Sequence, residues 1–121
     1  MVNKPMLILI VKPGKDPRGA VINSDLPEMQ KIVDGYIEII SPFEDQVVLV
    51  CNEEGKLRDL PPNRALRDKT GQIRDVIVGT FFLCGIDAER ELCSLTPAQE
   101  EKYRELFRET EAFPQPSGVG R

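Results

Sequence analysis

Hydrophobic positions change period several times along this chain, and each change marks an element boundary. Met6-Leu-Ile-Leu-Ile-Val11 is a continuous branched apolar run, which predicts a central strand covered on both faces. Pro13-Gly14 breaks it, and Gly19 to Ile22 predicts a short second strand. Asp25-Leu-Pro-Glu28 has the form of a helix N-cap with its glutamate three residues on. Leu26, Met29, Ile32 and Val33 then share one face at helical spacing, and Gly35 supplies the stop.

Tyr36 to Ile40 and Val47 to Cys51 predict the two arms of a hairpin, with Pro42 ending the first. Asn52-Glu-Glu-Gly55 predicts a turn that returns the chain through Lys56-Leu57 as a short further strand. Pro61 and Pro62 argue against regular pairing, so Ala65 to Arg67 is expected as a helical turn. A long apolar strand is expected from about Ile73 to Cys84, where Gly79 signals a bulge or a close backbone approach. Thr96-Pro-Ala-Gln99 is a capping box with proline at the first helical position, and Tyr103, Leu106 and Phe107 form the apolar stripe of that helix.

This order of elements predicts an α+β domain over 1–110, a mostly antiparallel sheet with two helices packed on one face, followed by a disordered tail over 111–121. Such a sheet leaves its other face to water or to a second subunit, and the apolar strands make a homo-oligomer the expected outcome.

Composition narrows the chemistry. The 121 residues suffice for one core. No apolar run approaches the roughly 18 residues of a membrane span and no signal-peptide pattern is present, so the expected location is the cytoplasm, with no membrane partner. The three cysteines Cys51, Cys84 and Cys93 lack Cys-x-x-Cys spacing, which predicts reduced thiols and neither a metal site nor another cofactor. The chain has no histidine, which removes the commonest general base and the His-dependent triads.

The net charge of −4 argues against direct nucleic-acid binding. Its distribution is uneven: residues 24–50 carry one basic and six acidic side chains, residues 86–111 four and eight, but residues 51–75 six and five. The central segment therefore escapes the acidic bias of its flanks, which suits local capture of a small anion.

Asn63 and Arg64 follow two rigid prolines, so a guanidinium there is preorganised to grip a phosphate or carboxylate, with Lys56 and Arg67 adding charge. A structural reading competes, in which Arg64 pairs with Asp59 or Asp75 and Asn63 caps the helical turn. Thr80 and Phe81, next to Gly79, can offer a hydroxyl and a ring to a nucleoside, or simply belong to a strand bulge and the core. Glu53, Glu54 and Asp59 read as a solvated turn, and Lys12-Pro-Gly-Lys15 lacks the pattern of a phosphate-binding loop.

Gly35-Tyr-Ile-Glu38, Asn52 to Leu57, Leu60-Pro-Pro-Asn-Arg64, Asp75 through Phe81 and Ser94-Leu-Thr96, in this order, resemble the family of domain of unknown function 3846. Asp34-Gly35 departs from the Gly-Gly expected before Tyr36. The resemblance supplies no activity and no site residue, but implies a setting among phages and mobile elements of Gram-positive bacteria. In that setting the residues point to a non-enzymatic anti-defence protein that sequesters a nucleotide-derived immune signal, such as a cyclic nucleotide or a cyclic ADP-ribose-like molecule. Its ligand contacts would be Lys56, Asn63, Arg64, Arg67, Thr80 and Phe81, in the cytoplasm of the host cell. The alternative is an acidic inhibitor or DNA mimic that blocks a host defence enzyme, and a hydrolase working without histidine is the third class considered.

Overall fold

The computed structural model describes residues 4–111 and 113. Eight strands and two helices follow the chain as β1 (Pro5–Val11), β2 (Arg18–Asn23), α1 (Leu26–Val33), β3 (Ile37–Ile40), β4 (Val47–Asn52), β5 (Pro62–Arg67), β6 (Ile73–Val78), β7 (Phe81–Ile86), β8 (Leu92–Cys93) and α2 (Pro97–Leu106). The main sheet has the order β2-β1-β7-β4-β3, all antiparallel, with β8 added beside the far end of β7. β5 and β6 form a separate antiparallel hairpin. The α+β class and the mostly antiparallel pairing agree with the sequence.

The helices lie on opposite faces of the sheet, which corrects the expectation of one shared face. Leu9 and Val11 of β1, Leu49 and Cys51 of β4, and Phe81 and Leu83 of β7 point to the side where Tyr103 and Phe107 pack. Their neighbours Ile8, Ile10, Val48, Val50, Phe82 and Cys84 point to the side where Met29 and Val33 pack. The β5–β6 hairpin shares the α2 side through Leu66 and Ile77. Both faces are thus covered by the chain itself, which is why β1, β4 and β7 carry unbroken apolar runs. The argument for a homo-oligomer from an uncovered sheet face does not hold.

Local chemistry sets the helix ends. Asp25 caps α1 by accepting from Glu28 N–H at 2.8 Å, and Thr96 and Gln99 close the capping box of α2. At the exit of α1 the left-handed residue is Asp34 (φ 63°), one position before the expected glycine. Its carbonyl accepts from Asn52 Nδ2 at 3.0 Å and Arg58 Nη1 at 2.6 Å, so tertiary bonds secure the aspartate where Gly-Gly was expected.

Three local expectations fail between residues 53 and 86. Lys56-Leu57 belongs to a continuous turn and not to a strand, and Ala65 to Arg67 is extended within β5 and not helical. Pro62 is tolerated as the first residue of its strand, opposite Val78. The long strand expected over 73–84 is two strands in different sheets, divided at Gly79. Gly79 has φ +75°, and a Cβ there would lie 2.8 Å from Leu60 Cδ1, so this glycine does mark a close approach. Within α2, Tyr103 is buried but Leu106 is 59% exposed, so the stripe is narrower than its spacing suggests. Of the tail expected over 111–121, residues 112 and 114–121 lie outside the described residues.

Candidate functional site

The β5–β6 hairpin is attached to the main sheet by the two residues that the sequence singled out. Asn63, 1% exposed, donates from Nδ2 to the carbonyls of Val11 (2.9 Å) and Gly79 (2.8 Å), bridging β1 and the β6–β7 junction. Its Oδ1 accepts from Arg64 Nη1 at 2.8 Å. Arg64 is also 1% exposed; Nε donates to the Phe107 carbonyl at 3.0 Å and Nη2 to the Lys15 carbonyl at 2.6 Å. One guanidinium thus ties the β1–β2 turn, the end of α2 and the hairpin together. Both side chains are buried and taken up by internal bonds, and the structural alternative is corrected as well: backbone carbonyls and the Asn63 amide bond Arg64 in place of Asp59 or Asp75, and Asn63 lies within β5, where there is no helical turn to cap.

Lys56 and Arg67 serve the edges of the same hairpin. Ala65 and Val76 are directly opposed across it. Their outward N–H groups donate to carboxylates, Ala65 to Glu111 Oε2 and Val76 to Asp75 Oδ1, both at 2.8 Å. Arg67 pairs with Glu111 at 3.0 Å and Lys56 with Asp75 at 2.7 Å. Each edge therefore carries a carboxylate that occupies a strand donor and a cation that offsets the carboxylate, which blunts the edge toward further pairing. The basic excess of residues 51–75 is largely the counterpart of these contacts.

Burial raises the Glu111 carboxyl, but the bonds from Arg67 and Ala65 N–H and the charges of Arg67 and Arg64 outweigh it and hold the group below its ordinary range. A lowered folded value contributes stability that is complete above the unfolded value of about 4.3 and is lost as pH falls through the folded one. Urea midpoints measured from pH 6 down to about 3 should accordingly fall more steeply for the wild type than for Glu111→Gln. Parallel curves would contradict this role.

Thr80 and Phe81 do not join a common site with these residues. Phe81 is fully buried, its ring edge-on to Phe107 at 5.5 Å, and Thr80 is half-buried between β6 and β7. Burial pushes the Cys51 thiol up to about 11 and the Cys84 thiol up to about 12, so both are held as unreactive thiols. Among the described residues, no group of three or more His, Cys, Asp or Glu side chains is arranged to hold a metal ion. No helix among them is long and apolar enough to cross a membrane.

An amphipathic cleft of about 360 Å³ opens between the hairpin and the end of α2. Phe43, Leu66, Leu106 and Phe107 give it apolar surface, and Arg67 and Lys69 stand at its rim beside Glu111. Phe43 packs with its ring tilted against that of Tyr103, centroids 4.7 Å apart, and the Tyr103 hydroxyl donates to Asp45 at 3.0 Å. Lys69 is loosely held: it pairs with Glu44 at 3.5 Å, both side chains being more than four-fifths exposed. Arg64 lines the wall bonded only to neutral oxygens; burial lowers its guanidinium from the ordinary arginine range, and Glu111 and Asp16 partly offset this from a distance. The sequence named Arg67 but missed Phe43, Leu106 and Lys69, because three segments distant along the chain form this cleft.

The family described as Domain of unknown function (DUF3846) matches residues 6–108. No curated protein and no solved structure matches the chain.

Proposed function

The chain belongs to the DUF3846 family, and from that premise we propose that it acts by binding, capturing a small anionic amphiphile of nucleotide type in the cleft between the hairpin and α2. The observation that carries this reading is the Arg64 guanidinium in the wall. A buried charge is ordinarily matched by a carboxylate in direct contact, and here the matching groups are carbonyls and an amide. An anion held over the apolar surface, its charge toward Lys69 and Arg67, would compensate that field where water is scarce. The volume falls at the lower end of the roughly 300–1,000 Å³ typical of ligand clefts, which favours a mononucleotide-sized group per chain. Sequestration of such a signal is consistent with a phage-type anti-defence role in a host cytoplasm. A homo-oligomer would multiply the cleft without completing it.

The acidic-inhibitor reading is weaker. Eight cations are paired with carboxylates among the described residues, so positive charge is interleaved with the acidic blocks. A phosphate-backbone mimic needs an uninterrupted acidic face.

Thermal-shift and calorimetric titration with AMP, cyclic di- and trinucleotides and cyclic ADP-ribose test the proposal. A stabilising ligand, recovered unaltered after release, is expected, with Lys69→Glu weakening it about tenfold, roughly the 1.4 kcal/mol a reversed rim charge can carry. No stabilisation by any of these at high micromolar concentration, or no effect of Lys69→Glu, overturns it.

A further inference from the structure

We propose that the free edge of β3 pairs with β3 of a second copy of this chain, in an antiparallel arrangement whose twofold axis passes between the two Ile39 residues. This inference is independent of the cleft.

Glu53 N–H donates to the Tyr36 carbonyl at 2.8 Å, which makes residue 36 and its partner a hydrogen-bonded pair. Bonded and non-bonded pairs alternate along an antiparallel ladder, so residues 38 and 40 turn their backbone groups inward to β4. Ile37 and Ile39 therefore turn their N–H and C=O groups outward. The hairpin edges of this protein are blunted by Glu111 and Asp75, but among the described residues no carboxylate caps β3 in this way. It is Ile-Glu-Ile-Ile, free of proline and rich in β-branched residues, with each residue exposed or half-buried and Ile39 46% accessible. The other end strand, β2, contains Gly19 and Ala20 and begins with a cation, Arg18, which makes it the poorer pairing edge.

Symmetry and charge select both the occupant and the register. A twofold axis normal to the sheet keeps each face on its own side, so residues directly opposed across it must have numbers of the same parity. Two registers oppose three of the four strand residues and use the outward groups of Ile37 and Ile39. One centres on Glu38 and sets two carboxylates face to face, which is unfavourable. The other centres on Ile39, sets Glu38 against Ile40 of the second copy, and lets the two Ile39 residues exchange both backbone hydrogen bonds. The edge is thus self-complementary in the Ile39 register.

Sedimentation equilibrium between about 1 μM and 1 mM should show the mass doubling with concentration. Ile39→Pro removes an N–H that the β3–β4 ladder does not use, and should abolish the dimer while preserving the monomer's circular dichroism. Val21→Pro, in β2, should leave the dimer intact. Ile39→Cys should cross-link to itself on mild oxidation, because the paired Cα atoms lie about 5.5 Å apart, within disulfide range. Glu38→Cys and Ile37→Cys should not. A wild type that stays monomeric across the range overturns the proposal. So does loss of the dimer in Val21→Pro with its retention in Ile39→Pro, or self-cross-linking at position 38 in place of position 39.

Discussion

Arg64→Ala lowers the stability of this protein by about 3–5 kcal/mol, a large part of the 5–15 kcal/mol that holds a domain of this kind. The substitution strips donors at once from the Phe107 carbonyl and the Asn63 side chain, both in the interior, and from the part-buried Lys15 carbonyl. It also leaves a void the size of the largest fully buried side chain among the described residues. Arg64→Lys keeps the charge and much of the volume, yet should recover little, because an ammonium cannot reach three separate acceptors with the geometry of the guanidinium fork. Urea unfolding of the two variants checks both statements. A loss below about 1 kcal/mol for Arg64→Ala, or near-complete rescue by lysine, would place the hairpin's attachment elsewhere.

Gly85→Ala costs about 1–3 kcal/mol, through the insertion of β8 between β1 and β7. β1 pairs with β7 only from Leu9 to Val11, and β8 takes over opposite Gly85 and Ile86. At the point where β1 leaves β7, Leu7 N–H donates to Ser94 Oγ at 2.9 Å and its carbonyl accepts from Leu95 N–H at 3.0 Å. Both polar groups of the half-buried Leu7 are thereby satisfied within the chain. A Cβ on Gly85 would lie 2.7 Å from the Ser94 carbonyl oxygen and 3.0 Å from Cys93 Sγ, and the backbone atom cannot swing aside. Faster amide exchange at Leu95 should accompany the loss of stability. A variant with unchanged stability and unchanged exchange at Leu95 would show that this junction is slack.

What the sequence discloses depends on how local the deciding interaction is. The caps at Asp25 and Thr96 are complete within four residues, and the runs of β1 and β4 need only a sheet covered on both sides, so these were legible. Those same two-sided runs already contradicted the expectation of both helices on one face; helix placement depends on the crossings between strands, which periodicity does not encode. β5 was misread because Pro61-Pro62 signals a break by local rules, whereas Asn63 and Arg64 hold that segment extended through partners 16 to 52 residues away. The two strands at Gly79 were fused because an apolar run is equally apolar on either side of a sharp change of direction. Lys56 and Arg67 looked like anion ligands since their carboxylates, Asp75 and Glu111, lie 19 and 44 residues on.

The central claim is that the basic segment anchors the hairpin through Arg64, so that the ligand capture proposed above falls to the neighbouring cleft. Side-chain 1H–15N spectra of the uniformly labelled wild type, followed after transfer into D2O, test it most directly. Arg64 Nε–H, bonded to the Phe107 carbonyl and shielded from water, should persist as a resolved signal long after the other arginine Nε–H signals have exchanged. Loss of that signal at the same rate as those of the surface arginines Arg18 and Arg108 would contradict the account.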